Sequence, residues 1–267
     1  MARRPRLDRE LVRRGLATSR HDAQRAIEAG MVRVRGMPAT KAAALVDTEE
    51  AITISEETEG FVSRGGLKLD GVLRRWSVPV IDRRWLDAGA STGGFTDRLL
   101  QGGAASVVAV DVGYGQLDWR LRNDSRVIVL ERINVRTLSV KDLPWQPEGV
   151  VADLSFISLK LVMAALAGVA CEDADFLLLV KPQFEVGRDA VPRGGVVRDP
   201  VMWSTAIHAV VDSGAQAGLG AVAVAPSDVP GPAGNREFFL HLRRGSAAFL
   251  PDVGHAIERA VAEAAGE

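Results

Sequence analysis

The order of apolar and polar positions changes character near residue 60. Before it, Leu7, Leu11 and Val12 fall on one helical face, and Gly15 follows as a stop. Thr18 or Ser19 is placed to cap a second helix, with Ala23, Ala26 and Ile27 inward and Gly30 at its end. Met31-Val-Arg-Val-Arg35 alternates with period two, which predicts a strand with valines in and arginines out. Gly36-Met-Pro38 turns the chain, and Ala51-Ile-Thr-Ile54 closes a small sheet. Residues 57–66 shift in composition and carry three glycines. Beyond them, apolar runs alternate with amphipathic stretches. Strands are expected at 84–88, 106–111, 127–131, 148–153, 175–181, 219–225 and 237–243, and helices at 66–76, 94–102, 115–123, 158–169, 200–216 and 252–264. That alternation argues for a mostly parallel sheet with helices on both faces. The expected division is a first domain over 1–60, a linker at 61–66 and a second domain over 67–267.

Composition narrows the class. With 47% hydrophobic and 25% charged residues, the chain has the make-up of a globular protein with a real core. The longest uncharged apolar run, Leu161 to Cys171, is too short to cross a bilayer. The basic N-terminus has no apolar stretch behind it, so no signal peptide is expected and the cytoplasm is the expected place. The single cysteine, Cys171, excludes an internal disulfide and a cysteine-based zinc site, and a buried structural thiol is expected. His21, His208, His241 and His255 lack metal-ligand spacing, so no metal is expected.

The net charge of −1 conceals an asymmetry. Residues 1–46 hold eleven Lys or Arg against four Asp or Glu, and residues 47–60 hold six acids and no base. Arg13, Arg14, Arg20, Arg25, Arg33 and Arg35 are placed to share one surface, a plausible clamp on a phosphate backbone. A solvated charged face is the competing reading.

Trp85-Leu-Asp-Ala-Gly-Ala-Ser-Thr-Gly-Gly-Phe-Thr96 carries the strongest local signal: a strand, a glycine-rich turn and a helix start. Gly89 can adopt the positive φ of such a turn, and Gly93 and Gly94 admit close backbone approach. The helix behind offers free N–H groups. Asp111, 22 residues after Gly89, ends the next strand, where a carboxylate can accept from the ribose hydroxyls of an adenosine. The dinucleotide fingerprint needs a second glycine where Ser91 stands, so a hydride-transfer enzyme is disfavoured. Asp87-x-Gly89-x-x-x-Gly93 suits a methyl donor without a pyrophosphate, with Asp87 for its amino group. Glu131-Arg-Ile-Asn134 offers a polar group for an adenine edge, or is a solvated loop.

Four charged residues fall where the strand ends of an open α/β sheet line a ligand crevice: Lys68, Asp153, Lys181 and Glu237. An antiparallel last strand brings the start of its run, Glu237, to the same edge. Residues 187–198 form a basic, glycine-rich loop that either closes over a substrate or is an ordinary loop. Core packing is expected for Phe156 and Phe184, with stacking on an extruded base as the alternative.

These motifs carry two resemblances. Arg6-Leu-Asp-Arg-Glu-Leu-Val-Arg-Arg-Gly-Leu-Ala-Thr-Ser-Arg20, with Ala26-Ile-Glu-Ala-Gly-Met-Val-Arg-Val-Arg-Gly36, resembles the small S-four-type RNA-binding domain of ribosomal proteins and pseudouridine synthases. Lys68, Asp153, Lys181 and Glu237 resemble the K-D-K-E tetrad of FtsJ-like ribose 2′-O-methyltransferases. Ser63-Arg-Gly-Gly-x-Lys68-Leu69, Asp87-Ala-Gly-Ala-Ser-Thr-Gly-Gly-Phe-Thr96, Asp111-Val-Gly-Tyr-Gly-Gln116, Asp153-Leu-Ser-Phe-Ile-Ser158 and Lys181-Pro-Gln-Phe-Glu185 together resemble the TlyA family over essentially the whole chain.

The resemblance implies a Rossmann-like class I methyltransferase domain, α/β, with a mostly parallel seven-stranded sheet whose last strand is antiparallel. A small α+β S-four-type domain precedes it. It implies S-adenosyl-L-methionine as cofactor and 2′-O-methylation of cytidine in ribosomal RNA, on both subunits or the large one only. It also implies a historical hemolysin label and a link to susceptibility to ribosome-targeting peptide antibiotics. Lys68, Asp153, Lys181 and Glu237 are the implied catalytic set. Asp87, Gly89, Ser91, Gly93, Gly94, Phe95, Asp111, Asn134 and Asp153 are the cofactor set. Arg4, Arg6, Arg14, Arg20, Arg25, Arg33 and Arg64 are the RNA-binding set. Lys181 is either a neutral general base or a cation that stabilises the developing alkoxide. The expected partners are ribosomal RNA or ribosomal subunits, with no membrane, and the expected state is a monomer. A non-catalytic RNA-binding assembly factor and a membrane-lytic protein are the rival readings.

Overall fold

The structure, a computed structural model, describes residues 4–28, 30–35, 37–54, 60–231, 233–244 and 249–266. The chain divides into two compact units, Met1–Arg64 and Gly65–Glu267. The predicted turn residue Gly36 and linker residues 57–59 lie outside the described residues, as does the Arg33 side chain.

In the first unit, α1 (Leu7–Arg13) and α2 (Arg20–Glu28) precede β1 (Val32–Val34), β2 (Met37–Pro38) and β3 (Ile52–Ile54), with antiparallel sheet order β2-β1-β3. Leu7, Leu11, Ala23, Ile27, Val32, Val46 and Ile52 form its core, as the helical and alternating periods require. The Ser19 hydroxyl accepts from the Asp22 N–H at the start of α2.

In the second unit, α3 (Arg64–Trp76) begins inside the segment read as linker, its first residue belonging to the first unit. Then follow β4 (Arg84–Ala88), α4 (Gly94–Gln101), β5 (Ser106–Asp111), α5 (Trp119–Arg122), β6 (Val127–Glu131), β7 (Gly149–Ala152), α6 (Met163–Val169) and β8 (Asp175–Val180). The chain ends with α7 (Pro182–Glu185), α8 (Pro200–Gln216), β9 (Leu219–Pro226), β10 (Phe238–Arg244) and α9 (Val253–Ala265). The sheet order is β6-β5-β4-β7-β8-β10-β9, and β10 runs antiparallel to both neighbours. β7 and β8 are buried at every position, so they read as continuous apolar runs rather than alternations. The order reverses between β4 and β7, which opens a crevice beyond their carboxyl ends.

Candidate active site

The glycine turn after β4 is built from the backbone outward. Gly89 has φ +85, and a Cβ there would lie 2.8 Å from the Asp153 carbonyl oxygen and from Leu154. Only glycine admits this approach of two chain segments without a shift. The Gly89 and Ala90 N–H groups both donate to the Val110 carbonyl, at 2.8 and 3.1 Å. Asp111 fastens the turn from the next strand: Oδ2 accepts from Ser91 N–H at 2.8 Å and Oδ1 from Gly113 N–H at 2.6 Å.

Beside this turn lies a cavity of about 470 Å³, within the usual size of a small-molecule site. Gly89, Ser91, Asp111, Asn134 and Asp153 line it, as do Gln116 and Ser155. Ile133, Val135, Leu154, Ile157 and Val162 supply apolar wall. Carboxylates, amides and apolar side chains in one lining are the groups that suit the polar sugar and flat base of an adenosine. The Asn134 amide is partly committed, since Oδ1 accepts from Arg136 N–H at 3.0 Å.

The remaining residues expected around a cofactor stand behind that wall. Asp87 is fully buried; its Oδ2 accepts from the Thr96 N–H at 3.0 Å and the Thr96 hydroxyl at 2.6 Å. Its Oδ1 is buried without a partner among the described residues. Burial pushes the Asp87 carboxyl up to about 7; the Thr96 hydrogen bonds oppose this, and the nearby Asp153 and Asp111 charges add to it. Gly93 (φ +97) caps α4, which Gly94 opens, and Phe95 packs inward on Phe239 at 5.9 Å. These residues shape the turn from beneath.

The four charged residues form two close pairs at the carboxyl edge. Lys68, buried on α3, donates to Glu237 Oε2 at 2.6 Å, and side-chain exposure is 7% and 1%. Lys181 Nζ lies 2.5 Å from Asp153 Oδ1, an ion pair without hydrogen-bond alignment, and donates to the Ser155 hydroxyl at 2.9 Å. Because Phe238 pairs with Val180 across antiparallel strands, Glu237 and Lys181 sit side by side one residue beyond. A Cβ at Gly231 would lie 2.5 Å from Glu237 Oε1, so the backbone crowds that carboxylate. Asn235 secures the neighbourhood: its amide donates to the Gly195 carbonyl and accepts from the Val197 N–H, both at 2.9 Å. This pins the far end of the basic loop.

The expectation of core packing for Phe156 is overturned. Its ring is 90% exposed, and its backbone is left-handed at φ +63. A non-glycine residue there costs about 1–3 kcal/mol and persists where neighbours hold it. It contacts the half-buried Phe184 ring at 5.4 Å, which in turn lies 5.9 Å from Lys181 Nζ. Glu185, buried, accepts from the Ser158 hydroxyl at 2.5 Å and the Leu159 N–H at 2.8 Å, and burial pushes its carboxyl up despite those bonds. Ser155 and Glu185 fall inside the family motifs without an assigned role there, and Asn235 ends the stretch 230–235 expected to shape the approach to Glu237; their contacts join residues more than 25 positions apart. Cys171 is half-buried, not fully buried as expected.

In the first unit Arg6, Arg13, Arg14, Arg20, Arg25 and Arg35 are already engaged. Arg6 and Arg20 hold the buried Asp8 at 3.0 and 2.9 Å, and Arg13 and Arg14 hold the buried Glu10 at 2.6 and 2.8 Å. The Arg6 and Arg13 hydrogen bonds keep both carboxyls below the usual range against burial. Arg25 pairs with Asp22 and Arg35 with Glu50. Arg14 also donates to the Glu50 and Thr48 carbonyls at 2.7 Å and is largely buried, so it clamps its own unit. Arg20 and Arg6 keep about half and two-fifths of their side chains exposed, and Arg4 is exposed.

Known proteins fit this geometry. The family model described as FtsJ-like methyltransferase matches residues 61–244, and the S4 domain model matches residues 5–52. The chain is 52% identical over 266 residues to the 16S/23S rRNA (cytidine-2′-O)-methyltransferase TlyA of Mycobacterium tuberculosis, covering 98% of this chain and 99% of that protein. Hemolysin A of Brachyspira hyodysenteriae is 34% identical, covering 88% of this chain and 98% of that one. A solved structure from Streptococcus thermophilus, 36% identical, superposes with a TM-score of 0.78 over 100% of this chain and 98% of that one. With an S4 domain ahead of an FtsJ-like methyltransferase domain, and near-complete coverage by a 52% identical relative, the chain belongs to the TlyA family of methyltransferases.

Proposed function

We propose that this protein transfers a methyl group from S-adenosyl-L-methionine to the ribose 2′-hydroxyl of cytidine in ribosomal RNA of the small subunit, the large subunit or both. It acts as a monomer in the cytoplasm, on ribosomal RNA or ribosomal subunits. The observation that carries the reading is the meeting of Lys68–Glu237 and Lys181–Asp153 at one sheet edge, beside a cavity that suits an adenosine. The 52% identical relative bears the matching activity in its name.

Gly89, Ser91, Asp111, Asn134 and Asp153 would hold the donor directly, with Asp87, Gly93, Gly94 and Phe95 shaping the turn behind them. When bound, the donor supplies an electrophilic methyl on a sulfonium. The chain's part is to place a poor nucleophile in line with it and to manage the charge that develops. Lys181 is the group we set against the 2′-hydroxyl. Its 2.5 Å ion pair with Asp153 suits the role of a cation set against the developing alkoxide. Lys68 and Glu237, buried together, fix the neighbouring wall. Phe156 offers an exposed ring to an extruded base, and the exposed parts of Arg4, Arg6, Arg20 and Arg25 offer phosphate contacts, with Arg33 and Arg64 in the same proposed set. Among the described residues, no helix is long and apolar enough to cross a membrane, and none of these features serves a lytic role.

The test is methyl transfer from labelled donor to purified ribosomal subunits, followed by nuclease mapping of the product. Ribose-methylated cytidine is expected. Base methylation, or full activity in Lys181→Ala, defeats the reading. Calorimetric binding of the donor separates it from a non-catalytic assembly factor, which has no need to bind one.

A further inference from the structure

We infer that Ser155 is a positioning residue for Lys181, the third member of the Asp153–Lys181 pair; the inference rests on the role proposed above for Lys181. A lysine amine carries three substituent directions besides its carbon stem. On Lys181, the Ser155 hydroxyl takes one as a hydrogen bond at 2.9 Å, and Asp153 Oδ1 stands 2.5 Å from the nitrogen as an ion-pair partner. The Phe184 ring, 5.9 Å away, adds an aromatic face to the same environment. That leaves N–H capacity for an incoming hydroxyl. An ammonium held by charge alone can swing about its last torsion; one that also donates to a hydroxyl at a fixed position is held in orientation, and its remaining N–H directions are then set in space.

Ser155 is itself held. Its segment, residues 153–159, is sewn to the segment 181–185 at both ends. Asp153 meets Lys181 at the near end, and the Ser158 hydroxyl and Leu159 N–H donate to the buried Glu185 carboxylate at the far end. Between them the Phe156 ring contacts Phe184, on a left-handed backbone that the two anchors over-determine. Ser155 also lines the cavity proposed for the donor. The hydroxyl therefore couples the cavity wall to the aim of Lys181.

The experiment is a double-mutant cycle on the full chain, with ribosomal subunits as substrate, and donor binding by calorimetry as a second readout. Ser155→Ala is expected to lower kcat about ten- to a hundredfold, the scale of a misplaced catalytic group, with donor affinity and thermal midpoint near wild type. Ser155→Thr, which keeps the hydroxyl, is expected to restore most of the rate. In a Lys181→Ala background, Ser155→Ala is expected to cost nothing further, because its effect passes through the amine. Wild-type kcat in Ser155→Ala overturns the inference while Lys181 keeps its role. An equal loss in both backgrounds, or a loss confined to donor affinity, also overturns it and assigns Ser155 to the cavity alone. Near-wild-type activity in Lys181→Ala defeats the proposed function itself, and the inference with it.

Discussion

The two edges of the seven-stranded sheet both bury charge, and they do so to opposite ends. At the amino edge, Asp175 starts β8 and is 3% exposed. Arg83 donates to it at 2.7 Å, His241 lies at 2.8 Å and Arg243 at 3.2 Å, while His241 stacks on Trp76 at 5.7 Å. Burial alone would raise its carboxyl, but the hydrogen bonds with His241 and Arg83 outweigh that and hold it below the usual range. A second cavity of about 410 Å³ lies there, lined by Asp175 together with Arg83, His241 and Arg243. At the carboxyl edge, Asp87 is equally buried, yet one oxygen has no partner and burial wins, so its carboxyl rises to about 7. Asp153, paired there with Lys181, lines the first cavity. A buried charge is thus no mark of an active site by itself. A buried carboxylate that its neighbours leave uncompensated, close to a cavity, is the better mark.

Mutations can break or sharpen this contrast. The largest effect is expected at the carboxyl edge: Lys181→Ala should slow methyl transfer about 10²–10⁴-fold, measured at saturating donor and subunit, with donor affinity near wild type. At the amino edge, Asp175→Ala should instead cost about 3–5 kcal/mol of stability in urea unfolding, since it strands the cations gathered on it, while the folded fraction keeps its turnover. Exchanged outcomes, an inactive but stable Asp175→Ala, would put chemistry at the wrong edge.

Asp87 gives a smaller, pH-dependent effect with a definite sign. Its folded value of about 7 lies above the ordinary 3.8, so the native state holds a proton that the unfolded chain has lost. The stability from that proton is complete below the unfolded value and is lost as pH rises through the folded one. Wild type should therefore lose roughly 2–3 kcal/mol from this group between about pH 5 and pH 8, at 1.36 kcal/mol per unit, and Asp87→Asn should abolish that loss. Parallel unfolding curves for the two proteins across that range would remove Asp87 from the contrast. The smallest effect is expected at Phe156. Phe156→Gly should relieve the left-handed backbone and gain up to about 1 kcal/mol in thermal unfolding, while turnover on RNA falls. A gain in both would show that the exposed ring has no work to do.

Much of the scaffold was legible from periodicity. The expected strands of the large sheet fall within one residue of β4 to β10, because runs such as Phe176-Leu-Leu-Leu-Val180 have no other way to bury themselves. Helices were less exact where local chemistry intervened. The stretch 115–123 keeps only α5, with the Asp118 side chain capping it from within, and 158–169 breaks into a short 3-10 turn and α6. Phe156 misled for a related reason: an apolar residue in an apolar neighbourhood was turned outward by a left-handed backbone that no pattern announces.

From sequence alone came the elements, their order, the glycine turn and the identity of the charged residues at strand ends, since these depend on residues near one another along the chain and on how many positions each side chain can usefully occupy. Tertiary structure alone decided which lysine meets which acid, that Asp87 bonds Thr96 and Phe95 packs on Phe239 rather than lining the cavity, that Lys181 also donates to Ser155, and that arginines expected to face RNA first serve Asp8 and Glu10. The reason is reach. A hydrogen bond is settled within tenths of an ångström, between groups that in the Lys68–Glu237 pair stand 169 residues apart, and only the packing of α3 against the folded sheet brings them to that distance.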